Sequence, residues 1–132
     1  MRLLLDTHIA IWALVAPDRL TQAEQTLIAS LENEEFVSSV SLWEIAIKFP
    51  LSRGRVDALP FSAEAAHRYF LEAGYHVLDM TARHALAVET LPPLHADPFD
   101  RMLVAQARTE PMHLLSQDQK VLAYFPGDQQ AR

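Results

Sequence analysis

Four short apolar segments, separated by longer stretches with helical spacing of apolar residues, constrain the fold of this chain most strongly. They predict buried strands at Arg2–Leu5, Phe36–Ser39, His76–Leu78 and His113–Ser116. Helices are predicted at Thr7–Val15, from Thr21 to about Leu31, around Leu42–Phe49, at Ala63–Glu72, from Thr81 to about Thr90, at Phe99–Arg108 and at Gln119–Tyr124. Strands that alternate with helices predict an α/β fold with a parallel sheet covered on both faces.

Residues that favour the N-cap position precede several of these helices: Thr21, Ser62, Thr81 and Asp97, the last followed by Pro98. Either Ser39 or Ser41 is expected to cap the third helix. Pro50 is expected to kink that helix or to end it early, because proline lacks the backbone N–H that a helix interior needs.

Length and composition predict that residues 1–132 form a single domain. Half of the 132 residues are hydrophobic, which is enough for one well-buried core. The polar stretch 125–132 predicts a poorly ordered tail in place of a fifth strand. The chain has no cysteine, which excludes disulfides and thiolate metal sites and fits a reducing, cytoplasmic environment.

The net charge of −6 excludes a protein that holds nucleic acid through a generally basic surface. Any contacts with nucleic acid must therefore be local. The apolar run at the start is interrupted by Asp6 and His8 and preceded only by Arg2, which does not fit a signal peptide. No stretch approaches the length of a membrane span, so no membrane association is expected.

Four acidic residues fall where sites form in parallel α/β proteins. Asp6 directly follows the first predicted strand, and Asp118 follows the fourth by two residues. Glu44 and Asp100 lie near the starts of two helices, where the helix dipole favours negative charge. Four converging carboxylates would repel one another unless a cation lay among them, and oxygen ligands are those that Mg²⁺ or Mn²⁺ prefers. Such ions assist phosphodiester hydrolysis.

Four segments occur in order along the chain: LLLDTHIAIW, SSVSLWEIAIK, HADPFDRMLVAQA and LLSQD. Together they closely resemble the PIN-domain family, and within it the VapC-type toxins of bacterial toxin–antitoxin pairs. The resemblance covers about residues 2–122. Carried over residue by residue, the four acids of the family fall on Asp6, Glu44, Asp100 and Asp118, with Ser116 as the hydroxyl residue before the last acid.

The resemblance implies a PIN-like three-layer α/β/α sandwich with a short, mainly parallel sheet of four or five strands. It implies an endoribonuclease that depends on Mg²⁺ or Mn²⁺ and hydrolyses RNA. It also implies a cognate VapB-type antitoxin as inhibitor, an arginine of which can reach the acid cluster, and a homodimer with two neighbouring sites.

Each acid also has a structural interpretation. Asp6 is expected to cap the following helix as well as to bind metal. Glu44 lies on a strongly apolar helix and needs a partner, which is either Lys48 one turn later or a metal ion. Asp118 either caps the last helix or holds metal through water.

Asp97 and Asp100 are three residues apart and lie on the same side of a helix start. We interpret Asp97 as the N-cap and Asp100 as the carboxylate directed into the cleft. Arg101 offers Asp100 a purely structural partner.

The candidates for RNA contact are the polar and cationic residues nearest to the site elements: Thr7, Lys48, Arg53, Arg55, Arg101, Arg108 and Ser116. A solvated surface role is an equal alternative for each cation. None of the six histidines forms an HxxxH or HxH pair. His8 and His95 lie near the acids and could contact substrate or phosphate, but the preferred interpretation gives them no special role. Trp12 and Trp43 are expected in the core.

Two other classes of protein remain as alternatives. A receiver-type signalling domain would need paired acids after the first strand and a lysine after a late strand, whereas Asp6 stands alone and Lys120 lies inside a helix. A catalytically silent PIN-like module that binds RNA or protein is the stronger alternative. The chain has no GxSxG motif and no glycine-rich phosphate loop.

Overall fold

The computed structural model describes residues 1–127. The strands of this range are β1 (Arg2–Leu5), β2 (Glu34–Ser38), β3 (His76–Leu78) and β4 (His113–Leu115). The helices are α1 (Thr7–Val15), α2 (Gln22–Ala29), α3 (Ser39–Leu51), α4 (Ala63–Glu72), α5 (Ala82–Ala87), α6 (Pro98–Thr109) and α7 (Gln119–Leu122). Short 3₁₀ turns cover Pro17–Arg19 and Val88–Thr90.

The four strands form one sheet in the order β3-β2-β1-β4, and all neighbouring pairs are parallel. In the centre, Leu5 is in register with Val37 on one side and with Leu115 on the other. The carboxyl ends of β1, β2 and β4 therefore meet at one edge of the sheet. This confirms the predicted parallel sheet, with four strands among the described residues.

The central strand β1 is buried on both faces, since Leu3, Leu4 and Leu5 are all completely inaccessible to solvent. Leu3 and Leu5 belong to a core cluster that also contains residues of α1, α3 and α4: Ile9, Ile45, Ala66 and Phe70. Leu4 belongs to a second cluster with residues of α6, β4 and α7: Leu103, Val104, Leu114 and Val121. Helices thus cover both faces, and the predicted three-layer α/β/α arrangement is confirmed.

The start of α3 differs from the prediction. Ser38, not Ser39 or Ser41, is the N-cap, and its side chain accepts a hydrogen bond from the Val40 N–H at 3.0 Å. The cap lies one residue earlier because β2 ends at Ser38 and the chain turns directly into the helix.

The end of α3 also differs, because the helix continues through Pro50 to Leu51. Pro50 lies in the last turn, so its missing N–H removes only one helical hydrogen bond. The Ser52 N–H donates to the carbonyl of Lys48 at 3.0 Å and completes the helix end.

Three other expectations change. Helix α2 ends at Ala29, and Leu31 is fully exposed beyond it. Trp43 is not a core residue, since its side chain is 57% exposed. Phe125, which the prediction placed in a loose tail, is buried in the second core cluster. Residues 128–132 of that predicted tail lie outside the described residues. Within residues 1–127, no helix has both the length and the apolar character that a bilayer span requires.

Candidate active site

Asp6 lies at the carboxyl end of the central strand and is only 6% exposed. Its carboxylate accepts a hydrogen bond from the Ile9 N–H at 2.8 Å, so it caps α1 as predicted. A further hydrogen bond joins it to the side chain of Ser116, which directly follows β4. The site therefore lies at the carboxyl ends of β1 and β4. These are the two neighbouring strands between which the strand order of the sheet changes direction, a place where α/β proteins typically bind ligands.

Glu44 is directed towards the same edge from α3 and is 4% exposed. The Thr7 hydroxyl donates to Glu44 Oε1 at 2.7 Å and lies 2.8 Å from the Ser41 hydroxyl. On the other oxygen, Lys48 Nζ lies 2.5 Å from Oε2. Lys48 is thus the structural partner that the sequence suggested for this buried acid.

Asp100 lies in the first turn of α6. Asp97 is the N-cap of that helix, as predicted, and accepts hydrogen bonds from the N–H groups of Phe99 and Asp100 at 2.8 and 3.1 Å. The side chain of Asp100 contacts His95, whose Nε2 lies 2.8 Å from Asp100 Oδ2. The partner of Asp100 is therefore a histidine and not Arg101.

Asp118 joins the cluster from the loop after β4. It caps α7 by accepting a hydrogen bond from the Lys120 N–H at 2.8 Å, which agrees with its structural interpretation. Its second oxygen, Oδ2, lies 3.5 Å from His95 Nε2. One atom each of His95, Asp100 and Asp118 lie within 4.8 Å of one another and could hold a metal ion.

Electrostatic interactions link Asp6 to Asp100 and Asp100 to Glu44. Burial raises the pKa of Asp6 to about 6, against the hydrogen bonds from Ser116 and Ile9, and the charge of Asp100 adds to the increase. Burial also raises the pKa of Asp100, against the hydrogen bond from His95 and with the charges of Asp97 and Glu44 adding to the increase. Ionising both acids costs free energy that a bound cation would offset.

This donor set fits a divalent cation with a preference for oxygen. Among the described residues, the Asp6 carboxylate is bonded only to neutral hydrogen-bond donors, and Asp118 keeps an oxygen directed at the cluster. Carboxylate-rich sites without thiolates are typical of Mg²⁺ and Mn²⁺.

The predicted cationic contacts separate into two groups. Lys48 and Arg55 line a recess of about 370 Å³ together with His8, Ser52 and Leu59. Lys48 bonds to Glu44, while Arg55 is exposed and lies 3.2 Å from Asp57.

The other arginines bond to backbone carbonyl groups. Arg53 donates to the carbonyls of Phe49 and Leu59 and closes the loop between them. Arg101 donates to the carbonyls of Val88, Pro92 and His95, and Arg108 to that of Tyr124. The structure does not bring these three guanidinium groups to the carboxylates.

A second recess of about 360 Å³ adjoins the acids and is lined by Asp6, His8, Trp12, Gln117 and Asp118. His8 lines both recesses, so they lie on either side of this residue, and we call the two together the trough.

His95 is the site residue that the sequence interpretation missed. It is not an ordinary loop histidine, because its side chain is only 11% exposed and contacts two of the acids. Its position five residues before Asp100, next to the helix N-cap, was the available signal.

The raised pKa of Asp6 predicts a pH-dependent gain of stability for Asp6→Asn in the cation-free protein. A carboxyl whose pKa rises on folding stabilises the fold below its unfolded pKa of 3.8, and this contribution is lost as the pH rises through about 6. Asparagine keeps the N-cap without the charge. In EDTA we expect Asp6→Asn to gain roughly 2–3 kcal/mol over the native protein between pH 4 and pH 7.5, measured by urea unfolding.

The exposed Asp18→Asn variant is the matched control and should show no such gain. Equal pH dependence of unfolding for the native protein and Asp6→Asn would contradict the burial of an ionisable Asp6.

Comparisons with solved structures show the fold. The chain is similar to VapBC2 from Rickettsia felis, bound to a promoter DNA fragment, with 18% identity, a TM-score of 0.65 and coverage of 96% of this chain and 94% of the other. It is similar to DNA-bound VapBC from Salmonella typhimurium, with 15% identity, a TM-score of 0.65 and coverage of 98% and 96%. It is also similar to VapC20 from Mycobacterium tuberculosis, a toxin that cleaves the sarcin–ricin loop, with 20% identity, a TM-score of 0.61 and coverage of 93% and 95%.

No curated protein sequence matches the chain. The family model of the PIN domain, however, matches residues 3–125, which is nearly the whole chain and includes all four acids. The sheet order, the acids at its carboxyl edge and this match agree, and the chain belongs to the PIN domain family.

Proposed function

We propose that this protein is a VapC-type toxin that cleaves RNA internally with the help of Mg²⁺ or Mn²⁺. The observation that carries the proposal is the meeting of carboxylates from four different elements at one edge of the sheet: Asp6, Glu44, Asp100 and Asp118. A fold that needed Asp6 and Asp100 only at helix starts would not have to bury both acids near each other, where burial raises the pKa of each.

The residues of the chain would divide the work as follows. Asp6, Asp100 and Asp118 would hold the cation, which when bound supplies charge stabilisation for hydrolysis of a phosphodiester. Glu44 has one oxygen bonded to Thr7 and the other to Lys48, so it contributes through its remaining lone pairs and its charge. Thr7 and Ser116 act by fixing Glu44 and Asp6.

The trough described above is the proposed path of the RNA. With a net charge of −6, the chain must hold RNA through local contacts. Lys48 and Arg55 line one recess together with His8, which also lines the recess of Asp6 and Asp118. Partial burial acts to lower the pKa of Lys48, but its hydrogen bond and charge interaction with Glu44 outweigh this and raise the pKa, so Lys48 stays charged. Arg55 is exposed, and a phosphate would have to replace its partner Asp57, an equally exposed carboxylate of the same recess.

We propose a VapB-type antitoxin as the inhibitory partner. The Rickettsia felis and Salmonella typhimurium structures to which the chain is similar are VapBC assemblies. A cluster of carboxylates attracts a basic side chain, and an arginine could pair with Asp100 or Asp118 in place of a cation. Cytoplasmic localisation follows from a substrate and partner of this kind and agrees with a chain that has no cysteine.

We also propose a homodimer through α3. Trp43, Ile47 and Leu51 are spaced by four residues on this helix, and they are 57%, 40% and 72% exposed. Residues at this spacing form one stripe along a helix, and a continuous exposed apolar stripe is typical of an interface. Because Glu44 and Lys48 lie on the same helix, pairing through α3 would bring two sites close together.

A catalytically silent module that binds RNA or protein is the remaining alternative. Such a module would bind RNA or protein in the trough without cleaving RNA. All four acids are present and share one region, which favours the enzyme, and the first experiment below separates the two.

RNA cleavage should require both the cation and Asp100. We expect cleavage by the native protein with Mg²⁺ or Mn²⁺, none in EDTA, and a loss of about 100-fold or more in Asp100→Asn. Asparagine keeps the hydrogen-bond geometry with His95 but removes the charge. Induced expression should arrest growth for the native protein, and co-expression of the cognate antitoxin should restore it.

Asp18→Asn removes an exposed acid outside the cluster and should cleave normally. Full activity of Asp100→Asn, or full activity in EDTA, would exclude this mechanism. RNA binding without cleavage under any divalent cation would favour the silent module.

Replacing Arg55 should weaken RNA binding through loss of a phosphate contact. In an Asp100→Asn background that suppresses cleavage, Arg55→Ala should lower the slope of log Kd against log salt concentration by about 0.7, the value for one contact with a single strand. Fluorescence anisotropy with labelled RNA at several salt concentrations measures this slope. Arg68→Ala on α4 is the control, and an equal change in both variants would place the RNA elsewhere.

A charge in the α3 stripe should separate the protomers. Ile47→Lys should convert the dimer into a monomer, because the interface would have to bury an unpaired ammonium group. Size-exclusion chromatography with light scattering measures the mass. Leu86→Lys replaces an equally apolar, exposed residue outside the stripe and should leave the dimer intact; a dimer that survives Ile47→Lys would rule out pairing through α3.

A further inference from the structure

His95 connects two acids that come from different elements of the fold. Its Nε2 lies 2.8 Å from Asp100 Oδ2 and 3.5 Å from Asp118 Oδ2. The imidazole is only 11% exposed, so water competes little for these contacts. A role in the geometry of the acid cluster is therefore expected from its position alone.

The backbone around His95 is fixed by two side chains. Arg101 Nη1 donates to the carbonyls of Pro92 and His95 at 3.2 and 3.3 Å. The Tyr124 hydroxyl donates to the carbonyl of Pro92 at 2.7 Å and accepts from the Leu94 N–H at 3.2 Å. The segment that carries His95 is thus held from both α6 and the end of α7, and the imidazole is directed at the acids before any cation binds.

The two ring nitrogens of His95 have different surroundings. Nε2 faces the carboxylates, whereas Nδ1 is buried and has no hydrogen-bond partner within residues 1–127. A neutral imidazole carries one proton. If this proton is on Nε2, it is donated to Asp100 and Nδ1 remains a proton-free acceptor.

Direct ligation of a cation by Nε2 would reverse this arrangement. The proton would then lie on the buried Nδ1, where the described residues offer nothing to accept it. Histidines that ligate metals almost always donate their second N–H to a partner. The hydrogen bonds of His95 therefore favour donation to Asp100 over ligation.

We propose that His95 is a positioning residue of the cation site, and not a ligand. By holding Asp100 Oδ2 it leaves Oδ1 of the same carboxylate for the cation, and its contact with Asp118 keeps that acid at the cluster. This inference rests on the proposed function only in that the acid cluster binds a divalent cation. The cation is then bound by oxygen atoms alone, although a histidine lies within reach.

Mn²⁺ binding to the protein without RNA tests the proposal. Removal of an outer hydrogen-bond partner typically costs 10- to 100-fold in metal affinity, and we expect a loss of about 10-fold or more in His95→Ala. His95→Gln should keep most of the affinity, because its amide N–H replaces the Nε2–H donor. Isothermal titration calorimetry measures the affinities. In electron spin echo envelope modulation spectroscopy, Mn²⁺ bound to the native protein should show no directly coordinated ¹⁴N.

Controls separate this role from a general effect on the fold. His67→Ala removes an exposed histidine of α4 and should bind Mn²⁺ normally. If His95→Ala does not fold, His95→Asn replaces it, since its side chain is too short to reach Asp100.

Two results would overturn the proposal: a directly coordinated ¹⁴N signal that disappears on substitution of His95, or equal Mn²⁺ affinity in all His95 variants. A native protein that binds no Mn²⁺ would overturn it together with the metal-dependent function. Normal Mn²⁺ binding without RNA cleavage would contradict the proposed function alone and leave the positioning role supported.

Discussion

The burial of carboxylates that the fold holds near one another is the constraint on which the rest of the site depends. Asp6 is almost completely buried, and the charges of Glu44 and Asp100 act on the same region. Neither burial nor repulsion favours folding, so the apolar layers on both sides of β1 must supply the stability that the acids remove.

The hydrogen-bond donors around the acids compensate the burial of each acid to a different extent. Glu44 has the ammonium group of Lys48 and the hydroxyl of Thr7, and Asp100 has the imidazole of His95. Among the described residues, Asp6 receives hydrogen bonds only from a hydroxyl and a backbone N–H, and burial raises its pKa to about 6. The acid after the central strand is thus the one that gains most from a cation.

The position of the acids in the fold could be predicted from the sequence, because local rules determine which strand end or helix start each acid occupies. Asp6 follows an apolar run that must be a buried strand, and Asp97-Pro98 is a helix start that places Asp100 in the first turn. The sheet, its parallel strands and most caps follow from the same local rules.

What the sequence did not reveal depends on contacts between distant segments. The direction of Arg101 is determined by carbonyl groups of residues 88–95 and by Tyr124, which no helical pattern encodes. The role of His95 depends on the same contacts of Arg101 and Tyr124. Trp43 is exposed because its helix covers the sheet with another face, and an apolar residue type alone does not tell which face is covered.

The pairing of β1 with β4 joins the two ends of the described chain, with Leu5 beside Leu115. Asp6 is therefore translated early, but its environment is completed only when Ser116 and Asp118 have been made and β4 has docked. A nascent chain that ends before β4 contains three of the four acids without the sheet edge that brings them together. The acid cluster is therefore complete only in a chain whose last described strand has paired with its first.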